Sequence, residues 1–371
     1  MKSHIWVYLM VILCLSACKS TPAGFIIQGH VEGLDGKEIY LLSDVNDRLV
    51  KGKRYDTLGI SVVENGLFSF RGSVDSVIVA MIGIEGLRGG FPIFLENREF
   101  EAKMDFARMD GTVITGGREQ DVYNLFWNID KKLFIEGERL RSARNIKLQE
   151  NLFQEAEELT RKIKDLDEEA DRQESEVIRQ NPNAIASAYR LHSKLIKLSL
   201  PQLEEKVALL GQKVKTSKYG REVEDWFHRL KATTPGVQAP NFEAMTPDGN
   251  TISLYSIKAK YKIIEFWASW CGPCRAEMPN MVEIYKDFHA KGLEILGVSL
   301  DRKLDPWKEA IQKDGQSWLH CSDLKYWQSD IARMYVINTI PQTLVLDENN
   351  VIVARGLRGE ELRTKLSELL P

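Results

Sequence analysis

The sequence predicts a C-terminal α/β domain built on a central sheet, preceded by a small antiparallel β domain and an α-helical middle region. Three patterns carry this prediction. Beyond residue 236 strand-like and helix-like segments alternate; from Phe25 to about Thr115 short β-type runs are broken by turn pairs; between the two, apolar residues recur by threes and fours. The 371 residues allow two or three domains, at roughly 100–200 residues each. With 43% hydrophobic and 28% charged residues and a net charge of −3, the chain offers no electrostatic handle for phosphate backbones, so nucleic acid is not an expected partner.

The first residues stand outside this plan. Lys2 leads into an apolar run, Ile5 to Leu15, that falls short of the ~20 residues a membrane-spanning helix needs. It reads as a signal peptide over 1–18. The run ends in Leu15-Ser16-Ala17-Cys18, which resembles the lipobox of bacterial lipoproteins; that resemblance implies lipidation of Cys18 and a membrane anchor. The following Lys19-Ser20-Thr21-Pro22 lacks an acidic cluster, and the location expected is the cell envelope of a Gram-negative bacterium, lipid-anchored and facing the periplasm. Of five cysteines, Cys14 leaves with the signal and Cys18 goes to lipid, leaving Cys271, Cys274 and Cys321, which is no disulfide scaffold.

The β-rich region, 24–118, contains "FIIQGHV", "EIYLL", "LFSFRGSV", "VIVAMIGI" and "FPIFL", punctuated by Asp35-Gly36, Asn65-Gly66 and Gly89-Gly90. Asn-Gly between apolar alternations is a strong local hairpin signal. In the helical region, 119–234, Leu152, Ala156, Leu159, Ile163, Leu166 and Ala170 form one stripe of a long amphipathic helix. Asn181-Pro182 breaks it before a second helix near "AIASAYRLHSKLIKL", predicting a helical hairpin, with dimerisation through the stripe as the alternative. Thr233-Thr234-Pro235-Gly236 and Ala239-Pro240 mark the boundary to the last domain, 236–371. There the nearly unbroken apolar strand at Ile263 to Trp267 suits the middle of a sheet.

That strand runs into "WASWCGPCRAEMP", where Cys271 and Cys274 precede a helix. A sulfur at a helix N-terminus meets unpaired N–H groups and the positive end of the macrodipole, which favour the thiolate, the form that attacks a disulfide. Zinc in a structural site needs four ligands, and no second cysteine pair or spaced histidines follow; a bridge across two residues constrains little unfolded-chain entropy. The pair therefore reads as a redox centre with attacker and resolver supplied together.

"EFWASWCGPCRAEMP" with "TIPQT" downstream resembles the thioredoxin superfamily, and within it the membrane-attached TlpA and ResA-like thiol-disulfide oxidoreductases. "APNF" and the polar hairpin "TPDGNTISL" fit that branch, and Pro279 matches its helix-kinking proline. "GHVEGLDGKEIYLL" and "NGLFSFRG" resemble the β-rich domain of unknown function that precedes the thioredoxin domain in many exported TlpA-like proteins. The resemblance implies a thioredoxin-like fold at the C-terminus. It implies Cys271 as exposed nucleophile and Cys274 as buried resolving cysteine, flanking Gly272 and Pro273, with no cofactor beyond this pair. Pro341 would be a cis-proline facing the pair, and the Ile340 backbone would pair with an extended substrate. Glu265 falls where thioredoxins place a buried acid, which burial would turn into a proton acceptor for Cys274. Glu277 matches an active-site glutamate of the ResA-like proteins, with a helix-surface charge as the alternative. Trp270 would form part of the substrate-facing rim. Cys321 is expected to be a buried small hydrophobe, with a third redox cysteine as the alternative.

Gly272-Pro273 is the thioredoxin dipeptide. Thioredoxin lies about 150 mV below the oxidant DsbA, or ~7 kcal/mol, so the dipeptide favours a reductant. A reductase outside the cytoplasm implies a membrane thiol electron donor and disulfide-bearing exported client proteins; cytochrome c maturation is one role of the family. The alternatives are a disulfide oxidase or isomerase, and a redox-sensing module that binds a partner.

Overall fold

The computed structural model describes residues 24–44, 55–87 and 90–371; the signal segment and Cys18 lie outside these residues. The chain divides into two compact units, with the division between Ser187 and Ala188. The helical region is thus shared between the units.

The first unit opens with eight strands: β1 (Phe25–Val31), β2 (Glu38–Asp44), β3 (Tyr55–Val62), β4 (Leu67–Gly72), β5 (Ile78–Ile84), β6 (Phe91–Leu95), β7 (Glu99–Met104) and β8 (Val113–Thr115). They form two four-stranded sheets, ordered β4-β1-β7-β8 and β3-β2-β5-β6. Alternation does the work: every second residue of β7 is buried, and the inward side chains include Ile27, Ile39, Phe70, Ile82 and Phe100. Asn65 and Gly66 both take positive φ, the geometry of a tight hairpin turn. β3 and β4 then diverge into different sheets. One expectation is corrected: β1 pairs antiparallel with β4 but parallel with β7, so the domain is mixed rather than purely antiparallel. Local turn signals specify sequence neighbours only, and β7 lies some seventy residues beyond β1.

Two long helices follow, α1 (Arg118–Gln149) and α2 (Phe153–Gln180), packed against each other as a hairpin. Five of the six stripe residues lie on α2, Ala156 buried and Leu159, Ile163, Leu166 and Ala170 half-buried, whereas Leu152 caps the helix and is exposed. The predicted break at Asn181 ends α2, and α3 (Ile185–Lys194) begins after it, but the hairpin expected across this break is instead formed by α1 and α2.

In the second unit, α4 (Leu200–Leu209), α5 (Gln212–Lys215) and α6 (Lys218–Lys231) lead into the α/β domain. A capping box of Ser199 and Gln202 starts α4, and Ser217 Oγ accepts the Gly220 N–H at 3.2 Å to start α6. The domain then runs β9 (Glu243–Met245), β10 (Thr251–Ser253), β11 (Tyr261–Trp267), α7 (Gly272–Phe288), β12 (Leu293–Ser299), α8 (Leu304–Lys313), β13 (Leu319–Ser322), α9 (Asp330–Met334), β14 (Gln342–Asp347), β15 (Ile352–Arg355) and α10 (Gly359–Leu369). Its sheet has the order β10-β9-β13-β12-β11-β14-β15. β11 is central and almost wholly buried, as its apolar run requires; β13 has no counterpart in the sequence analysis. Arg355 ties the helices to this sheet, donating from Nη1 to Thr233 O and from Nη2 to Tyr335 O at 2.9 and 2.7 Å.

One row of the sheet positions the site. Thr343, Glu265, Gly297 and His320 stand side by side across β14, β11, β12 and β13, on one face. Phe266, the next residue on β11, points to the opposite face and meets the Tyr335 ring at 5.7 Å. Gly297 has no side chain because none fits: a Cβ there would lie 2.6 Å from His320 Nδ1 and 3.0 Å from Trp267 Nε1. Both rings close over the glycine instead. Gly297→Ala is therefore expected to destabilise the domain by about 1–3 kcal/mol through overpacking, read as a lowered midpoint in urea unfolding; an unchanged midpoint would show that the two rings yield freely.

Candidate active site

The site begins where β11 ends. The turn after Trp267 is pinned by Asp301, which is 2% exposed and accepts from Ser269 N at 2.9 Å, Ser269 Oγ at 2.5 Å and Ser299 Oγ at 2.7 Å. That turn delivers Cys271 to the N-cap position of α7. Cys271 Sγ accepts the Cys274 N–H at 3.2 Å, the bond a serine or aspartate cap makes to the third residue of a helix. The two sulfurs form a disulfide, with S–S 2.08 Å and the Cα atoms 5.2 Å apart.

The two cysteines are not equivalent. Cys274 is fully buried and Cys271 is 5% exposed, so the pair's remaining access belongs to Cys271. The expectation of an exposed nucleophile is corrected in degree, because the loop before β14 crosses over it: Cys271 Sγ lies 3.8 Å from the Ile340 carbonyl oxygen. The Ile340–Pro341 peptide bond is cis. Pro341 is buried, and its carbonyl accepts from the Arg358 guanidinium.

The nearest cation in sequence is already engaged. Arg275 donates to Ser269 O at 3.1 Å and to Asp314 Oδ1 at 2.6 Å. Its charge is paired with Asp314, whereas the N-cap position gives Cys271 the positive end of the α7 dipole. On reduction, a Cys271 thiolate would keep the Cys274 N–H as a charge-assisted bond.

On the sheet face that meets α7 through Glu277, Glu265 is completely buried, and neither carboxyl oxygen has a hydrogen-bond partner among the described residues. Burial, with the charge of Glu277 as the smaller cause, pushes Glu265 up to about 8. The solvated strand-end alternative is thereby removed. Glu277 joins two helices: its Oε1 accepts from Asn280 Nδ2 at 2.8 Å and from Gly359 N, the start of α10, at 2.9 Å. Trp270 stands at the rim, 45% exposed, while Gly272 and Pro273 are exposed at the start of α7. Cys321 is buried on β13 without a disulfide partner, and burial, followed by the Asp323 charge, pushes its thiol up to about 12. It is no nucleophile at neutral pH.

Sequence reasoning did not find Asp301, the Arg275–Asp314 pair, or the row that joins Glu265 to Gly297 and His320. None of these belongs to a motif. Only Arg275, immediately after Cys274, stood where a charge would bear on the pair.

A cysteine pair of this spacing at a helix N-terminus, where the central strand of a mixed sheet ends and beside a cis-proline that leads into the neighbouring strand, defines a thiol-disulfide oxidoreductase of the thioredoxin fold. Sequence comparison agrees. The AhpC/TSA family model matches residues 235–355, and a domain of unknown function (DUF4369) matches residues 25–123. The thiol-disulfide oxidoreductase ResA of Oceanobacillus iheyensis is 41% identical over 143 residues, covering 37% of this chain and 73% of the relative. The thioredoxin-like protein YneN of Bacillus subtilis is 33% identical over 121 residues, covering 32% of this chain and 68% of the relative. Among solved structures, the thioredoxin domain of a Bacteroides vulgatus thiol-disulfide oxidoreductase is 33% identical and covers 37% of this chain and 99% of that one, with a TM-score of 0.36. Through its C-terminal domain the chain belongs to the family of ResA-like thiol-disulfide oxidoreductases.

Burial of Glu265 links stability to pH. The unfolded carboxyl ionises near its ordinary value of about 4.3, whereas the native one holds its proton up to about 8. Between these values the unfolded chain binds fewer protons than the native one, so stability falls as pH rises, by up to about 1.4 kcal/mol per pH unit. Glu265→Gln is expected to flatten this dependence in urea unfolding of the disulfide form at pH 5 and pH 8. Parallel losses in the two proteins would contradict the buried, protonated carboxyl.

Proposed function

We propose that the protein is a lipid-anchored reductase of disulfides in exported client proteins, working from the cell envelope and facing the periplasm of a Gram-negative bacterium. The carrying observation is the position of Cys271 Sγ, at the N-cap of α7 and the more accessible sulfur of the pair. The "LSAC" segment supports lipidation at Cys18, and the Gly272-Pro273 dipeptide supports the reducing direction. Among the described residues, no helix is long and apolar enough to cross a membrane.

In this reading the Cys271 thiolate attacks one sulfur of the client disulfide. The client S–S bond breaks, a mixed disulfide forms, and the first client sulfur leaves as a thiolate. The client backbone would pair with Ile340 beside Pro341, against the Trp270 rim. Cys274 then passes its proton to Glu265 in its ionised form, the minor one near neutral pH, and attacks Cys271 Sγ, which expels the second client thiolate and closes the Cys271–Cys274 disulfide. A membrane-side dithiol donor supplies two electrons and becomes a disulfide as the Cys271–Cys274 bond reopens; the proton on Glu265 returns to Cys274, and the donor's two protons balance those the two client thiolates take up from solvent. Glu277 acts through its charge on Glu265 and through its bond to α10. The β-rich region 24–118 and the helical region 119–234 would serve as spacer or docking surface for the redox domain, 236–371.

The test is the reduction potential of the Cys271/Cys274 couple, equilibrated against a dithiol buffer, together with two variants. A potential near or below about −270 mV supports the reductase, whereas one near about −120 mV reverses the direction of electron flow. Cys274→Ser is expected to accumulate a mixed disulfide with its clients, and Cys271→Ser to abolish insulin reduction. Insulin reduction that survives Cys271→Ser would defeat the assignment.

A further inference from the structure

The loop after β12 and the turn after β13 bring Arg302, Tyr326 and Trp327, which the exchange steps leave unused, to the rim that Trp270 forms. Trp270, Tyr326 and Trp327 form a three-ring cluster: Tyr326 lies 5.0 Å from Trp270 and 6.1 Å from Trp327 between ring centroids, and the two tryptophans are 6.1 Å apart. Trp270 is 45% exposed and Trp327 40% exposed, so the cluster presents open ring surface to solvent. The Arg302 guanidinium stacks on the Tyr326 ring, 4.2 Å from its centroid.

The charges around this shelf are unequal. Arg275 is taken by Asp314, Lys325 by Asp330, and the Arg358 guanidinium by the Pro341 carbonyl. Arg302 and the adjoining Lys303 are exposed, and no ion pair found among the described residues involves either of them. A guanidinium stacked on a ring keeps its N–H edge free, and that edge matches a carboxylate bidentately.

The shelf is also held in place at a conformational cost. Leu324 and Tyr326 both have positive φ, 55° and 58°, a region rarely occupied by residues with a Cβ. Polar bonds fix the turn: Ser322 Oγ donates to Ser299 O at 2.8 Å and accepts from Leu324 N at 3.0 Å, while Asp323 accepts from Lys325 N and Asp330 N. Strained backbone that the surroundings hold in this way clusters at binding sites.

We propose that the Trp270–Tyr326–Trp327 shelf with Arg302 and Lys303 recognises the client, selecting an extended segment that carries an aspartate or glutamate within a few residues of its half-cystine. The carboxylate meets the unpaired cations, and the open ring faces cover the neighbouring stretch of the segment. This rests on Cys271 being the attacking sulfur and adds the sequence context of the disulfide it attacks.

The experiment uses the full chain in detergent and disulfide peptides of one sequence with Glu, Gln or Lys beside the half-cystine, alongside a small uncharged disulfide. The kcat/KM values are expected to fall in the order Glu, Gln, Lys, spanning about fivefold, the scale of an exposed ion pair gained against a like-charge pair. Arg302→Gln should compress that span and Arg302→Glu should invert it, with the small disulfide unaffected. Trp327→Ala should slow all three peptides and spare the small disulfide. Equal rates on the three peptides, or a span that survives Arg302→Gln, overturns the proposal, as does Arg302-dependent binding to anionic vesicles without peptide selectivity. Failure of the unsubstituted protein to reduce the small disulfide would instead strike at the thiol-exchange reading.

Discussion

The bond from the Cys274 N–H to Cys271 Sγ is the constraint on which the site depends. It makes a sulfur the cap of α7, in the place where helices ordinarily use an oxygen. The helix thereby gains an acceptor for one of its unpaired N–H groups, and the sulfur gains the positive end of the dipole. Arg275, the nearest cation in sequence, is committed to Asp314. The rest of the domain serves to place this cap, from the buried strand β11 to the Asp301 cluster that fixes the turn.

Beneath the cap the sheet holds a different balance. Glu265 is buried without a hydrogen-bond partner among the described residues, an arrangement that costs stability. Gly297 next to it keeps the row open enough for Trp267 and His320 to close over the strand. Burial acts on the two titratable neighbours in opposite senses: it holds Glu265 protonated and pushes His320 down to about 3. Near neutral pH both are predominantly uncharged, so the interior under α7 carries little net charge beside the disulfide.

Much of this was legible because the informative residues are local. The Asn65-Gly66 turn, the end of α2 at Asn181 and the central strand before Cys271 each follow from a few adjacent residues. The cysteine pair carries its chemistry in its spacing, and the buried place of Glu265 came from the thioredoxin resemblance rather than from its own residues. What escaped depends on partners distant in the chain. The parallel pairing of β1 with β7 leaves no turn signal, and β13 is four residues long with His320 and Cys321 hiding its pattern. Asp301 is an ordinary aspartate until the fold brings Ser269 to it, and the cover over Cys271 comes from a loop some seventy residues away.

The account stands on the cap activating Cys271, and the thiol pKa of Cys271 in the reduced protein tests this most directly, followed as the rate of alkylation against pH. The expected result is a midpoint well below the ordinary thiol value of about 8.5, within the ~3.5–7.5 range of thiols at helix N-termini. A midpoint at or above about 8.5 would mean that the helix terminus does not stabilise the thiolate and that reactivity has another source.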